Sequence, residues 1–159
     1  MKRNIYADFS YLLTLGASFG AVIVLGALSA PVIFNTDTLL SGILLDNYNA
    51  GMIMAEIFHR FTYWLYLLTL FVVIYEVVQY KRGQRDAVIM ASSSMVIFSS
   101  LMFNVVYVPK ILAMQALGAE ATRSDTFSNI HFASEIDSKL LAISLIVLFI
   151  RRLMLLKLN

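Results

Sequence analysis

A stretch of roughly 26 residues, Phe9 to Phe34, contains no charged side chain, and it constrains the fold more than any other feature of the chain. About 20 consecutive apolar residues, rising ~1.5 Å each, cross the ~30 Å hydrocarbon core of a bilayer. The segment therefore reads as a transmembrane helix. A secretory signal has only ~7–15 apolar residues and then a small-residue cleavage site, so this length marks a retained span. Composition agrees. Of 159 residues, 60% are hydrophobic and 14% charged, and the mean hydropathy is +0.79, whereas soluble domains hold ~45–50% apolar and ~25% charged residues. Zero cysteines exclude disulfides, thiolate metal sites, iron–sulfur clusters and cysteine nucleophiles. A net charge of +2, with the basic residues at helix ends rather than in a patch, gives no case for nucleic acid as a partner. The lipid bilayer is the partner this composition requires.

Three more apolar segments follow, over residues 52–80, 87–108 and 134–158. The expected fold is all-α: an integral membrane four-helix bundle forming one domain over 1–159. The fourth segment is the least apolar. Its uninterrupted run is Leu140 to Ile150, so a span there must take in Asp137 and Lys139 or Arg151 and Arg152. Alternating spans put Lys2, Arg3, Lys81, Arg82, Arg85, Arg151, Arg152 and Lys157 on one side. The positive-inside rule makes that side cytoplasmic, with both termini there, in the cell's inner (plasma) membrane as a multi-pass protein. The opposite face is net acidic, carrying Asp37, Asp46, Glu120, Asp125, Glu135 and Asp137. Gly118 suits a helix C-cap and Ser124 or Asp125 an N-cap, so helices three and four both project outside. Thr38 to Leu45 is too short to cross and reads as interfacial.

Gly16 and Gly20 form a GxxxG continued by Ala27 and Ala30, a small-residue stripe that lets another backbone approach closely. The same stripe would also serve a homodimer or a membrane-protein partner. Ser93, Ser100 and Asn104 share one side of helix three, either as interhelical hydrogen-bond donors or as a polar path. Glu76 is expected to reach lipid headgroups or Arg82 and Arg85.

The residues with most chemical potential cluster at the outer end. Glu56 and His59 stand on the first turns of helix two, and His131, Glu135 and Asp137 on the first part of helix four. At ~1.5 Å per residue, His59 lies ~33 Å from Lys81 and His131 ~30 Å from Arg151, so the two imidazoles are expected at similar height. Imidazole with carboxylate suits a first-row transition metal, and two imidazoles suit axial ligation of haem. The expectation is that His59 and His131 point inward and, with Glu56, Glu135 and Asp137, hold such a cofactor. The bland reading is that Glu56–Arg60 and Glu135–Lys139, both i,i+4, neutralise one another at the headgroups.

Four spans, Ala30-Pro31-Val32-Ile33-Phe34 ending the first helix, Ala50-Gly51 closing the loop, and Ile57-Phe58-His59-Arg60-Phe61 opening the second helix resemble a bacterial family of the DUF type. That family is related to the eukaryotic TMEM-type protein linked to cisplatin resistance. Its layout is distantly similar to the CopD copper-resistance proteins and the HemJ-type protoporphyrinogen oxidases, whose small bundles hold metal or haem through histidines. The resemblance implies a four-helix membrane fold. Helix one lacks a histidine here, so no HemJ-like haem site or oxidase activity carries over, and no catalytic residue is transferred. The function read from the sequence is therefore a small membrane protein with an outer His/Glu/Asp cluster for a metal ion or haem. The alternative is a non-catalytic structural or accessory subunit of a larger membrane complex. No nucleophile and base stand at a recognisable spacing, so an enzyme is the least supported reading.

Overall fold

The computed structural model describes residues 5–40 and 45–157; Lys2 and Arg3 of the basic set, part of the Thr38–Leu45 segment and Leu158 lie outside them. Four long helices account for most of the chain: α1 Ile5–Phe34, α2 Asn47–Lys81, α3 Ala87–Ala116 and α4 Asp125–Lys157. Among the described residues there is no strand. By length and apolar composition α1, α2 and α3 are long enough to cross a membrane. This is a membrane protein. α4 is as long, at 33 residues, but carries too many charges to qualify on composition. Of these charges Asp137 and Arg152 are turned into the protein, both almost fully buried, whereas the side chains of Glu135, Lys139 and Arg151 remain substantially exposed.

The starts are capped by side chains. Asp46 accepts from the Asn49 amide at 2.7 Å, Asp86 from the Ile89 amide at 3.1 Å, and Ser124 Oγ from the Phe127 amide at 3.2 Å, each satisfying an amide with no partner inside its own helix. The Asp46 cap extends α2 five residues upstream of the Met52 expected from hydropathy, with Gly51 inside the helix rather than in the loop. Gly118, φ +100° and ψ 178°, follows α3 in a conformation open essentially only to glycine. It joins α3 to the single helical turn Ala119–Thr122.

Both prolines of the chain sit inside long helices. A helical proline lacks the amide and clashes with the carbonyl four residues back, here those of Ala27 and Val105. In each case the backbone widens to a π-helix just before the proline, over Val24–Ser29 ahead of Pro31 and Phe103–Tyr107 ahead of Pro109, the adjustment that relieves such a clash. With the bundle end that holds the Lys81–Arg85 turn labelled inner and the opposite end outer, the core runs through the inner and middle bundle, Tyr11 and Leu15 of α1, Leu65, Leu68 and Val72 of α2, Val96 of α3, and Leu141, Leu145 and Leu148 of α4, and reaches Phe103 and Val108 of α3 toward the outer end. No residue of the Val24–Ser29 turn is buried. The outer half of α1 has left the core.

Candidate functional site

At the inner end, a polar network closes the bundle. The Tyr11 and Tyr75 rings stack with centroids 3.8 Å apart. Tyr75 donates to Asp8 Oδ1 at 2.6 Å and Tyr11 to Glu76 Oε1 at 2.7 Å. Arg152 of α4 donates from Nε to Glu76 Oε1 at 3.0 Å, makes a second contact from Nη2 to Glu76 Oε2, and reaches Gln84 Oε1 from Nη1 at 2.7 Å. Its guanidinium lies 5.3 Å from the Tyr75 ring centroid, within cation–π range. This corrects the expectation for Glu76. It faces inward to Tyr11 and Arg152, because an apolar interior leaves a buried guanidinium only a carboxylate as full compensation. Asp8, Tyr75, Gln79, Gln84 and Arg152 enclose a pocket of about 20 Å³, room for one water molecule. Beside it Asp86 accepts from Arg151 at 2.7 and 3.0 Å, and this hydrogen bonding holds the Asp86 carboxyl below the usual carboxylate range.

At mid-depth, Ser99 donates to Asp137 Oδ1 at 2.7 Å. Of the expected polar stripe, Ser93 donates to the Met90 carbonyl. Ser100 Oγ and both amide atoms of Asn104 are buried and have no hydrogen-bond partner among the described residues. The three residues are buried at the helix interface and line neither of the two cavities described here.

The outer half encloses a cavity of about 1120 Å³, slightly larger than ordinary small-molecule sites of ~300–1,000 Å³. All four helices contribute. α1 gives residues from Val22 to Phe34, α2 from Asn47 to Phe58, α3 from Phe103 to Gln115, and α4 from Phe127 to Ala142. At ~1.5 Å per residue these stretches are ~17 to ~22 Å long. The walls from α1, α2 and α3 are mainly apolar; Arg123, His131, Glu135 and Lys139 bring charge from the α4 side, and Asp46 from the α2 cap.

The expected site residues divide. His131 and Glu135 line this cavity, with Nε2 and Oε1 3.5 Å apart, and Lys139 Nζ lies 3.9 Å from Glu135 Oε2. His131 stacks on Phe127. His59 does not line it; it packs edge-on against the exposed Tyr63 of its own helix. Glu56 is occupied by Arg60 at 2.8 Å, and Asp137 faces Ser99. Among the described residues no three histidine or carboxylate side chains come together as a metal site, so the metal and haem readings have no geometric support. Helix periodicity explains it: Asp137 lies two residues past Glu135, roughly 200° around α4 at ~3.6 residues per turn, and the two carboxylates face different neighbours.

The small-residue stripe also divides. A Cβ on Gly16 would stand 3.7 Å from the Phe149 ring of α4, but one on Gly20 would meet nothing within 4 Å. Ala27 and Ala30 are cavity wall. Hydropathy and spacing gave no sign of Gln115 or Arg123 as site residues. The available signal was the combination of small residues with Pro31 and Pro109, which leaves volume unfilled between helices.

A family model described as a domain of unknown function, DUF4149, matches residues 13–120. The chain belongs to this family. No curated protein and no solved structure matches it. The match covers α1 from residue 13 onward together with α2 and α3, and thus three walls of the outer cavity. It supports the DUF-type family, which has no assigned activity; no named relative stands behind a link to the cisplatin-resistance, CopD or HemJ proteins.

Proposed function

We propose that this membrane protein binds one chain-bearing amphiphile in its outer cavity. The observation that carries the reading is the cavity itself: about 1120 Å³, mainly apolar on three walls, with its charged side chains supplied from the α4 side and the α2 cap. Its ~17–22 Å length along the helices is comparable to one leaflet, half of a ~30 Å hydrocarbon core. In this reading α4 is the fourth span, with Asp137 and Arg152 buried against the other three helices, and both termini and the Lys81–Arg85 turn are cytoplasmic. The cavity then opens toward the outer leaflet of the inner membrane.

The test is saturable binding of a fluorescent acyl-chain probe to delipidated protein in detergent. Wild type is expected to bind about one probe per chain, displaced by unlabelled amphiphile. Ala27→Trp and Ala55→Phe, which fill the cavity from α1 and α2, should weaken binding at least tenfold without lowering the melting temperature. Non-saturable uptake identical in all three overturns the proposal and favours the accessory-subunit reading. Because the chain has no cysteine, orientation is tested separately with single cysteines: Asp125→Cys should label from outside intact cells and Arg85→Cys should not.

A further inference from the structure

We infer that the ligand is a lipid drawn sideways from the bilayer, entering through a gap between the outer half of α1 and α4; this rests on the amphiphile-binding reading above. The seams of the bundle carry the inference. In the outer half, Ala30–Phe34 of α1 packs on α2, α2 on α3, and α3 on α4 through its Phe103–Tyr107 and Val108–Ala116 stretches. The Tyr48 hydroxyl also ties α2 to the Gln115 carbonyl of α3 at 2.8 Å. The seam between α1 and α4 differs. Ile5–Ile23 lies along α4, but beyond it residues 24–34 leave α4 and lean on α2. The departure begins at the widened turn Val24–Ser29, the kind of place where a helix bends ahead of a proline.

The two lips of this gap stand at matching heights. Tyr11 and Arg152 both bond to Glu76, and Gly16 meets the Phe149 ring, so α1 and α4 run antiparallel. Counting outward from Gly16 and Phe149 at ~1.5 Å per residue in each helix, Ala27 is level with Ser138 and Phe34 with His131, and all four line the cavity. The opposite walls are closed: Met54 and Ala55 of α2 and Phe103 and Val108 of α3 line the same cavity and are buried. Gly26, Ala27 and Pro31 of α1 and His131, Glu135 and Lys139 of α4 line it and are exposed. α2 and α3 thus form a floor, and α1 and α4 the lips.

The lips differ in chemistry. Residues 24–34 carry no charged side chain, and Val24, Leu28 and Val32 are exposed; hydrocarbon accepts such a surface where water does not. The α4 lip presents His131, Glu135 and Lys139, half to two-thirds exposed, and a lysine stem can lie along apolar surface while its charge reaches the headgroups. One apolar and one polar lip at one height suit a phospholipid passing between them, its tails against α1 and its head along α4.

The test bridges the gap. Because the chain has no cysteine, Ala27→Cys with Ser138→Cys can be joined by reducible bis-thiol reagents of increasing length. Protein is loaded with deuterated phospholipid, cross-linked and placed in unlabelled vesicles, and the deuterated lipid still bound is followed over time by mass spectrometry after re-extraction. The cross-link should slow loss of the labelled lipid at least tenfold, and reduction should restore the rate. A polyethylene glycol maleimide on Glu120→Cys, on the turn whose Ala119 and Thr122 line the outer end of the cavity, should leave the rate unchanged. Equal rates with the bridge intact and reduced, or slowing by the Glu120→Cys adduct instead, overturns the side entrance. Failure of every reagent length to join the pair overturns the facing lips. Absence of bound lipid before any cross-link is a different failure, that of the cavity reading itself.

Discussion

Arg152 is a permanently charged side chain with 3% of its surface exposed, in contact with Glu76, Gln84 and the Tyr75 ring. Burying both ions is costly, so the pair contributes little over an apolar replacement, but losing one partner strands the other. Arg152→Met should therefore destabilise the protein by ~3–5 kcal/mol, read as a large fall in melting temperature in detergent. Adding Glu76→Leu to Arg152→Met should recover part of the loss. A double variant as unstable as the sum of the singles would contradict this pairing. The surface pair Glu56–Arg60 is mostly exposed and should cost under ~0.5 kcal/mol to remove. Asp86 provides a pH test. Its folded-state pKa is depressed by Arg151, so its contribution is present above the ordinary carboxylate range and disappears as pH falls through the folded value. Asp86→Asn keeps a capping side chain, so its stability deficit at neutral pH should shrink on acidification; a pH-independent deficit would rule out the charge as its origin. Glu56–Arg60 is legible from its i,i+4 spacing, but neither Glu76–Arg152 nor Asp86–Arg151 is, because the partners stand 76 and 65 residues apart and each looks like an ordinary helix-end charge.

At the scale of elements, hydropathy locates the helices well but not what they face. The segments expected at Phe9–Phe34 and Met52–Tyr80 lie within α1 and α2, and α3 continues past Pro109 to Ala116, as the helix-forming residues up to Gly118 lead one to expect. The stripe of small residues was the ambiguous signal. Small side chains permit either close packing or empty volume, and only tertiary placement decides which. Gly16 packs on Phe149, while Gly20 has space. Gly16→Leu should accordingly lower stability, and Gly20→Ala should be neutral within ~0.5 kcal/mol or slightly stabilising, as expected for a helix interior. Thermal denaturation of the two variants checks this, and a Gly20→Ala loss comparable to Gly16→Leu would put both glycines in contact.

For the whole molecule, a membrane-embedded helical protein is legible in the sequence, but the metal or haem expectation finds no support in the geometry among the described residues, because equal height along two helices does not fix the angle around each. His131 faces the cavity and His59 faces Tyr63. The resulting architecture is asymmetric: a core and ionic clamp lock the inner half, and in the outer half α1 leaves the core where it widens before Pro31, while α3 stays packed through Phe103 and Val108, so that the four helices surround open volume. That division predicts that filling the outer cavity leaves folding intact but removes ligand. The most direct measurement is the amount of amphiphile that co-purifies with the protein after exhaustive detergent washing, quantified per chain by mass spectrometry in wild type and in Ala27→Trp. The account predicts about one tightly held molecule per wild-type chain and almost none in the variant, at equal melting temperature. Equal amphiphile in both, or none in the wild type purified directly from membranes, would contradict it.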